Sequence, residues 1–171
     1  MHEDDFPLAR RWLLEPHVRR WWHDDPKETD FPEGTLRDWR SAIRGEDPTD
    51  MFVMEIDGRA IGMIQSYVAQ DYADHIAEIG ELSERALEVD LFIGEPGLIG
   101  QGHGPALLRA FLLQDLARRG LAYCVIGPAR ANVAAIRAYE KIGFRYLRDY
   151  REDDTIDPEH LLLELRGPDL G

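Results

Sequence analysis

The sequence predicts a single α/β (α+β) domain over residues 1–171, a mixed sheet flanked by helices, and three observations carry that expectation. Apolar residues change along the chain from helical three-and-four spacing to short strand-like runs and back, with no internal repeat and no low-complexity segment. Asp57-Gly58-Arg59 separates two apolar runs, and Asp-Gly in that setting is a strong short-range hairpin signal, so an antiparallel pair is expected there. Gly100, Gly102 and Gly104 form a turn that feeds a long helical run ending at Gly120. With 171 residues, 44% of them hydrophobic, one substantial core can form and little room remains for a second.

The elements follow in order. Phe6, Ala9, Trp12 and Leu13 stand at helical spacing and predict a helix over 4–22 that pauses at Glu15-Pro16. Asp24 to Gly34 reads as loop, and a second helix is predicted over 35–44 with Thr35 and Asp38 as its capping pair. The runs 51–56 and 60–69 are the strands of the hairpin. Residues 70–87 carry acids without a clear period, so they form a long loop or a short irregular helix. Leu87 to Ile93 alternates apolar and polar residues only in its first half, as a strand entering the centre of a sheet does. The helix from about Gly102 to Arg119 stacks Leu108, Phe111 and Leu112 on one face. A buried strand over 121–126, an amphipathic helix over 132–142 closed by Gly143, and strands over 144–150 and 160–165 complete the sheet.

The formal charge of −13 excludes nucleic acid as a partner, because neutralising phosphates needs a basic face. The same charge draws polyamines and other multiply charged basic molecules toward any carboxylate-lined cleft. Cys124, the single cysteine, excludes an internal disulfide and lies in an apolar run, where it reads as a small buried hydrophobe. No apolar run approaches the roughly 18 residues that span a bilayer, and Met1-His2-Glu3-Asp4-Asp5 is acidic, unlike a secretory signal. The expectation is a cytoplasmic protein with no membrane partner, a monomer or a homodimer. No pair among His17, His23, His75, His103 and His160 has the spacing of a zinc site, so no metal is expected.

A helix N-terminus leaves backbone N–H groups without partners at the positive end of the dipole, and it binds phosphate where no side chain blocks the approach. Gly100, Gly102 and Gly104 remove those side chains, and Pro105, which has no N–H, suits the first turn. The amides around Gln101, Gly102, His103 and Gly104 are then the donors for a pyrophosphate. A nucleoside-triphosphate loop would need Gly-Lys-Ser/Thr where this chain has Gly104-Pro105-Ala106. The dinucleotide fingerprint would need a third glycine where Leu107 stands. A turn that binds nothing stays open on these residues alone.

Gly102-x-Gly104, a helix, a buried strand, then Asn132 and Ala135-Ile136-Arg137-Ala138-Tyr139-Glu140-Lys141-Ile142-Gly143-Phe144 together closely resemble the coenzyme A binding core of the GNAT acetyltransferase superfamily. The resemblance covers roughly residues 87–150 and implies a mixed, mostly antiparallel central sheet with a V-shaped split. It implies acetyl-coenzyme A as cosubstrate, with residues 100–104 on the pyrophosphate and the strand carrying Leu91, Phe92 and Ile93 hydrogen-bonding the pantetheine arm. It places Asn132 and Ala135 against the cofactor arm and Tyr139 near the sulfur. This sequence departs from the family at Ile99, where Arg or Gln is usual, and in opening without the family's first strand, which is short or missing here.

Acetyl transfer to an amine needs a neutral nitrogen, a polarised carbonyl and a proton for the departing thiolate. Asp90, between Val89 and Leu91 in a predicted strand, is an acid where a sheet wants an apolar residue, and it can take the amine proton directly or through water. Tyr139 lies two helical turns beyond Asn132 on nearly the same face, and its hydroxyl can donate to the sulfur. Glu15 to Trp22, Ile61 to Val68 and Val89-Asp90 resemble the aminoglycoside 6'-N-acetyltransferases in particular. That likeness implies antibiotic resistance by acetylation of a small cationic amine, with Trp21, Trp22, Tyr67 and Asp90 receiving the acceptor. It also exposes a departure, since Gly127 stands where that subfamily carries a substrate-binding aspartate. Asp71, Asp74, Glu78 and Glu81 are candidates to replace it. The alternatives are an N-acyltransferase for a lysine-type siderophore precursor or a protein N-terminus, and a non-catalytic acyl-coenzyme A binding module, which would need neither Asp90 nor Tyr139.

Overall fold

The computed structural model describes residues 1–171 other than Asp24, Pro26, Asp154 and Gly171, together with their side chains except those of Pro168 and Leu170. Within the predicted loop 24–34, Asp24 and Pro26 therefore lie outside the described residues. The chain forms two compact units whose segments interleave along the sequence. The first comprises Met1–Ser66, Asp90–Gln101 and Asp154–Ile156, and the second Tyr67–Val89, Gly102–Asp153 and Asp157–Gly171.

In the first unit the predicted long helix is two helices, α1 (Phe6–Leu13) and α2 (Pro16–Trp22), broken where Pro16 takes the first helical position of α2. Among the described residues no strand precedes α1. The face of α1 formed by Phe6, Ala9, Trp12 and Leu13 is buried, and each of its large side chains contributes about 1.5–3 kcal/mol of transfer free energy. α3 (Glu33–Ile43) begins two residues before the predicted start, so Thr35 and Asp38 lie inside the helix and do not cap it. The backbone carbonyl of Asp30 does that work, accepting the N–H groups of Glu33 at 2.7 Å and Gly34 at 3.2 Å. The hairpin forms as expected from β1 (Asp50–Ile56) and β2 (Arg59–Val68), antiparallel with Ile56 opposite Arg59. Asp57 and Gly58 both hold positive φ, 51° and 73°, which matches the right-handed twist of the strands that they join. Phe6, Trp12, Leu13, Trp39, Met63 and Phe92 are among the residues of this unit's core.

In the second unit the acidic stretch after the hairpin contains the short helix α4 (Ala73–Ile79), docked through buried Ile79 and ended by Gly80 at φ 83°. β3 (Leu87–Ile93) follows, with Leu87 and Val89 fully buried in this unit. α5 (His103–Arg119) buries Leu108, Leu112 and Leu116, an i, i+4, i+8 stripe, while Phe111 is only half-buried. β4 (Tyr123–Ile126) starts two residues later than predicted, because Leu121 donates its N–H to Leu116 and is spent in closing α5. α6 (Val133–Ile142), β5 (Arg145–Arg151) and β6 (Glu159–Arg166) lie within a residue of their predicted bounds.

The six strands hydrogen-bond in the order β1-β2-β3-β4-β6-β5. β1/β2, β4/β6 and β5/β6 are antiparallel, while β3/β4 is parallel through Leu87↔Cys124 and Glu88↔Val125. The architecture is the expected one: a mixed, mostly antiparallel sheet with helices packed on it.

Candidate active site

Asp90 sits in the part of β3 that belongs to the first unit, half-buried, and its Oδ2 accepts a hydrogen bond from Gln65 Nε2 at 2.9 Å. Gln65 comes from the neighbouring strand β2, so two sheet strands fix the carboxylate in direction. An ionised carboxylate offers about four acceptor positions, and the Gln65 amide fills one of them. Gln65 is a residue that the sequence reading missed. The signal for it was a polar side chain, next to Ser66, following the apolar run Ala60 to Ile64 of the same strand.

The aromatic residues of the first unit separate into two roles. Trp22 meets Phe92 edge-on at 5.1 Å between centroids and Trp39 at 5.7 Å, so its ring packs among core aromatics. Trp21 points elsewhere, with the Arg20 guanidinium 4.3 Å above its ring. Phe92 spends its ring on the same core. At the end of the strand the carbonyl of Ile93 accepts a hydrogen bond from His17 Nε2 at 2.9 Å. Just beyond, Glu95 gathers Trp12 Nε1 at 2.9 Å, Arg59 at 3.0 Å and Arg11. The indole N–H of Trp12, then the guanidiniums of Arg11 and Arg59, hold its carboxyl below the ordinary value.

The glycine turn has the backbone that a phosphate requires. Gly100 and Gly102 hold φ 75° and 86°, and a Cβ built at either would meet nothing within 4 Å. The 17-residue helix α5 starts at His103 with no acid in its first turn, and Pro105 carries no N–H. The amides of His103 and Gly104 therefore stand at an open, positive helix end. An anionic pyrophosphate fits this donor set. Gln101 lies on the first unit's side of the turn and folds its side-chain amide onto the carbonyl of Gly97, which stiffens the loop.

Asn132 caps α6, its side-chain oxygen accepting the N–H of Ala135 at 3.2 Å. That bond occupies the amide of Ala135 and leaves the Asn132 NH2 group as the donor on this end of the helix. Further along α6, Tyr139 is half-buried with its ring 5.9 Å from that of Phe144. Gly127, at the end of β4, has the Tyr150 hydroxyl beside it, 2.1 Å from where a Cβ would stand. Tyr150 Oη donates to the Gly127 carbonyl at 3.3 Å, and His160 Nδ1 donates to the same carbonyl at 3.1 Å. A phenol thus fills the space that an aspartate side chain at this position would need.

Of the acids proposed to replace it, Asp71 is paired with Arg85 at 3.0 Å, and Asp74, Glu78 and Glu81 are exposed. Tyr67 stands edge-on to Tyr72, 5.0 Å between centroids, and 6.3 Å from His75. Trp21, Trp22, Asp90, Leu91, Phe92, Ile93 and Gln101 fall in the first unit. Tyr67, Gly102, His103, Gly104, Asn132, Ala135 and Tyr139 fall in the second. Cys124 is fully buried and burial raises its thiol pKa, as a small core residue requires. Among the described residues no three His, Cys, Asp or Glu side chains are placed to hold a metal ion, and no helix is long and apolar enough to cross a membrane.

Residues 2–151 match the family model of the acetyltransferase (GNAT) domain. The chain belongs to the GNAT acetyltransferases. It is therefore an acetyl-coenzyme A dependent acetyltransferase. Aminoglycoside N(6')-acetyltransferase type 1 of Klebsiella pneumoniae is 27% identical to this acetyltransferase over 147 residues, 84% of this chain and 71% of that protein. N-hydroxyputrescine acetyltransferase of Acinetobacter baumannii is 24% identical over 157 residues, 91% of this chain and 65% of that protein. Among solved structures, aminoglycoside acetyltransferase AAC(6')-Ib in complex with coenzyme A superposes with a TM-score of 0.83 at 22% identity, over 99% of this chain and 93% of that one. The aminoglycoside N(6')-acetyltransferase of Legionella pneumophila superposes with a TM-score of 0.80 at 19% identity, over 99% and 91%. These likenesses fix the GNAT fold.

Proposed function

We propose that this acetyltransferase acetylates a primary amine of a small polycationic acceptor, an aminoglycoside at its 6'-amine, and so confers antibiotic resistance in the cytoplasm. The observation that carries the reading is Asp90, a half-buried carboxylate on β3 aimed by Gln65 at 2.9 Å. Two further features support it. The chain's formal charge of −13 favours a cationic acceptor. The sequence relatives named as aminoglycoside N(6')-acetyltransferases point to the same acceptor class.

Bound acetyl-coenzyme A supplies an activated thioester. The amides of Gly102, His103 and Gly104 bind its pyrophosphate, the backbone of Leu91, Phe92 and Ile93 pairs with the pantetheine arm, and Asn132 donates from its NH2 group to that arm. Asp90 accepts a proton from the acceptor ammonium, directly or through a water, which frees the nitrogen lone pair for attack on the thioester carbonyl. Tyr139 Oη gives its proton to the departing sulfur and recovers one as the amide nitrogen sheds its second. One proton in sum is released per acetyl group transferred. Trp21 and Tyr67 receive the acceptor by their ring faces.

A second reading is favoured by Gly127. With no carboxylate at this position, a hydroxylated diamine of the siderophore-precursor type is an alternative acceptor, as the N-hydroxyputrescine relative suggests. Incubation with acetyl-coenzyme A and either kanamycin or N-hydroxyputrescine, followed by free thiol release, separates the two. Release with kanamycin, lost in Asp90→Asn, supports the first reading. Release with the hydroxylated diamine alone replaces it with the second.

A further inference from the structure

Glu88 is the most unexpected side chain in the second unit. It lies on β3 between Leu87 and Val89, both fully buried, and is itself only 2% exposed. A carboxylate so deeply buried is tolerated only where a partner meets it. Its partner is His75 on α4, whose Nε2 donates to Glu88 Oε2 at 2.8 Å. The imidazole keeps 20% of its side chain exposed, and its Nδ1 lies 3.9 Å from the exposed carboxylate of Glu78 on the same helix. A proton on this ring therefore exchanges with solvent while the other nitrogen is tied to a buried acid.

The groups that face the pair come from each element around it. From β2 Tyr67 meets the His75 ring at 6.3 Å, and Tyr72, just before α4, meets Tyr67 at 5.0 Å. From β3 comes Glu88, from α4 Glu78, from β4 the Cys124 thiol, which feels the charge of Glu88, and from β5, packed on α4, Arg148, whose Nη2 donates to the Glu81 carbonyl at 2.9 Å just beyond the helix. Other polar ties of this stretch of chain, Arg85 with Asp71 and Arg166 with Ser83, lie at the surface. Such exposed ties are individually weak.

We propose that His75 and Glu88 form a protonation-dependent latch that holds α4 and the Tyr67–Tyr72 pair in place, so that the charge on His75 sets acceptor affinity. This rests on the reading that Tyr67 faces the acceptor. With His75 protonated, the hydrogen bond to Glu88 joins two opposite charges. As the pH rises and the ring loses its proton, the bond becomes one between a neutral donor and a buried anion, and α4 loosens. His75 and Glu88 are positioning residues here, and neither enters the transfer step.

Amide hydrogen exchange of residues 73–79, expressed as protection factors from about pH 6 to about pH 8.5, tests the latch without any substrate. Protection in the unaltered chain is expected to fall roughly tenfold across that range. In His75→Gln and Glu88→Gln it is expected to be low and independent of pH. In parallel, His75→Gln is expected to raise the acceptor KM roughly tenfold with kcat retained. Protection that does not change with pH in the unaltered chain, or that changes equally in His75→Gln, overturns the latch. An unchanged KM in His75→Gln, where Tyr67→Ala raises it, overturns the link from latch to acceptor. An unchanged KM in Tyr67→Ala overturns the acceptor reading of Tyr67, and the exchange data alone then decide the latch.

Discussion

Replacing Gly127 with alanine tests the claim that a phenol fills the space an aspartate would need there. A Cβ there would stand 2.1 Å from Tyr150 Oη and 3.1 Å from Cζ, distances that require the ring to move. The ring cannot move freely, because Tyr150 is 8% exposed and packed in a core that includes Ile79, Tyr123 and Leu162. Overpacking of this kind costs about 1–3 kcal/mol. Loss of the hydrogen bond from Tyr150 Oη to the Gly127 carbonyl adds about 0.5–1.5 kcal/mol. The expected destabilisation of Gly127→Ala is therefore about 2–4 kcal/mol, a fall of roughly 5–15 °C in Tm for a chain of this size. Urea unfolding should show it as a lower midpoint at constant slope. In a Tyr150→Phe background the hydroxyl is gone and only the Cζ contact remains, so the same substitution should cost about 1 kcal/mol. A Gly127→Ala protein as stable as the parent would refute the reasoning. Gly127 would then be a free position, and the absence of an acid there would have no steric cause.

Tyr139→Phe should lower kcat about 100-fold or more while leaving the affinity for coenzyme A unchanged, as steady-state kinetics and a binding titration would show; an unaltered kcat removes the general-acid role. Glu95 should make stability sensitive to acid, since Trp12, Arg11 and Arg59 lower its folded pKa below the ordinary 4.5. A lowered carboxyl pKa stabilises the fold fully above that ordinary value, and the contribution is lost as the pH falls through the lower folded value. Urea midpoints measured across that interval should decline less steeply in Glu95→Gln than in the parent.

Much of the architecture was legible because its signals are local. Asp57-Gly58 fixes its hairpin by backbone conformation alone, and Pro16 breaks the first helical run wherever the rest of the chain goes. Gly120 and Gly143 close α5 and α6 by left-handed turns that other residues enter only at a cost. α4 was ambiguous because its seven residues hold one well-buried anchor, Ile79, too few for a helical period to stand out. The start of α3 was misjudged because a backbone carbonyl, that of Asp30, supplies the cap, and a carbonyl leaves no trace in residue identity.

The candidate site divides along the same line. Asp90 was visible as an acid inside a strand, and Asn132 through the motif that it opens, while its capping bond to Ala135 was not. Gln65 and the His75–Glu88 pair were not, because each depends on residues 13 to 25 positions apart meeting across elements. Trp21 and Trp22 were indistinguishable in sequence as adjacent tryptophans, and only packing assigns Trp22 to the core beside Phe92 and Trp39.

The central claim, acetylation of a polycationic amine with Asp90 as the proton acceptor, is tested most directly by identifying the product. The purified protein is incubated with acetyl-coenzyme A and kanamycin, and the product is assigned by NMR beside an Asp90→Asn reaction. The account predicts one acetyl group on the 6'-amine, formed with stoichiometric thiol release and at least about 100-fold more slowly in the variant. An unmodified aminoglycoside, or an equal rate in Asp90→Asn, would contradict it.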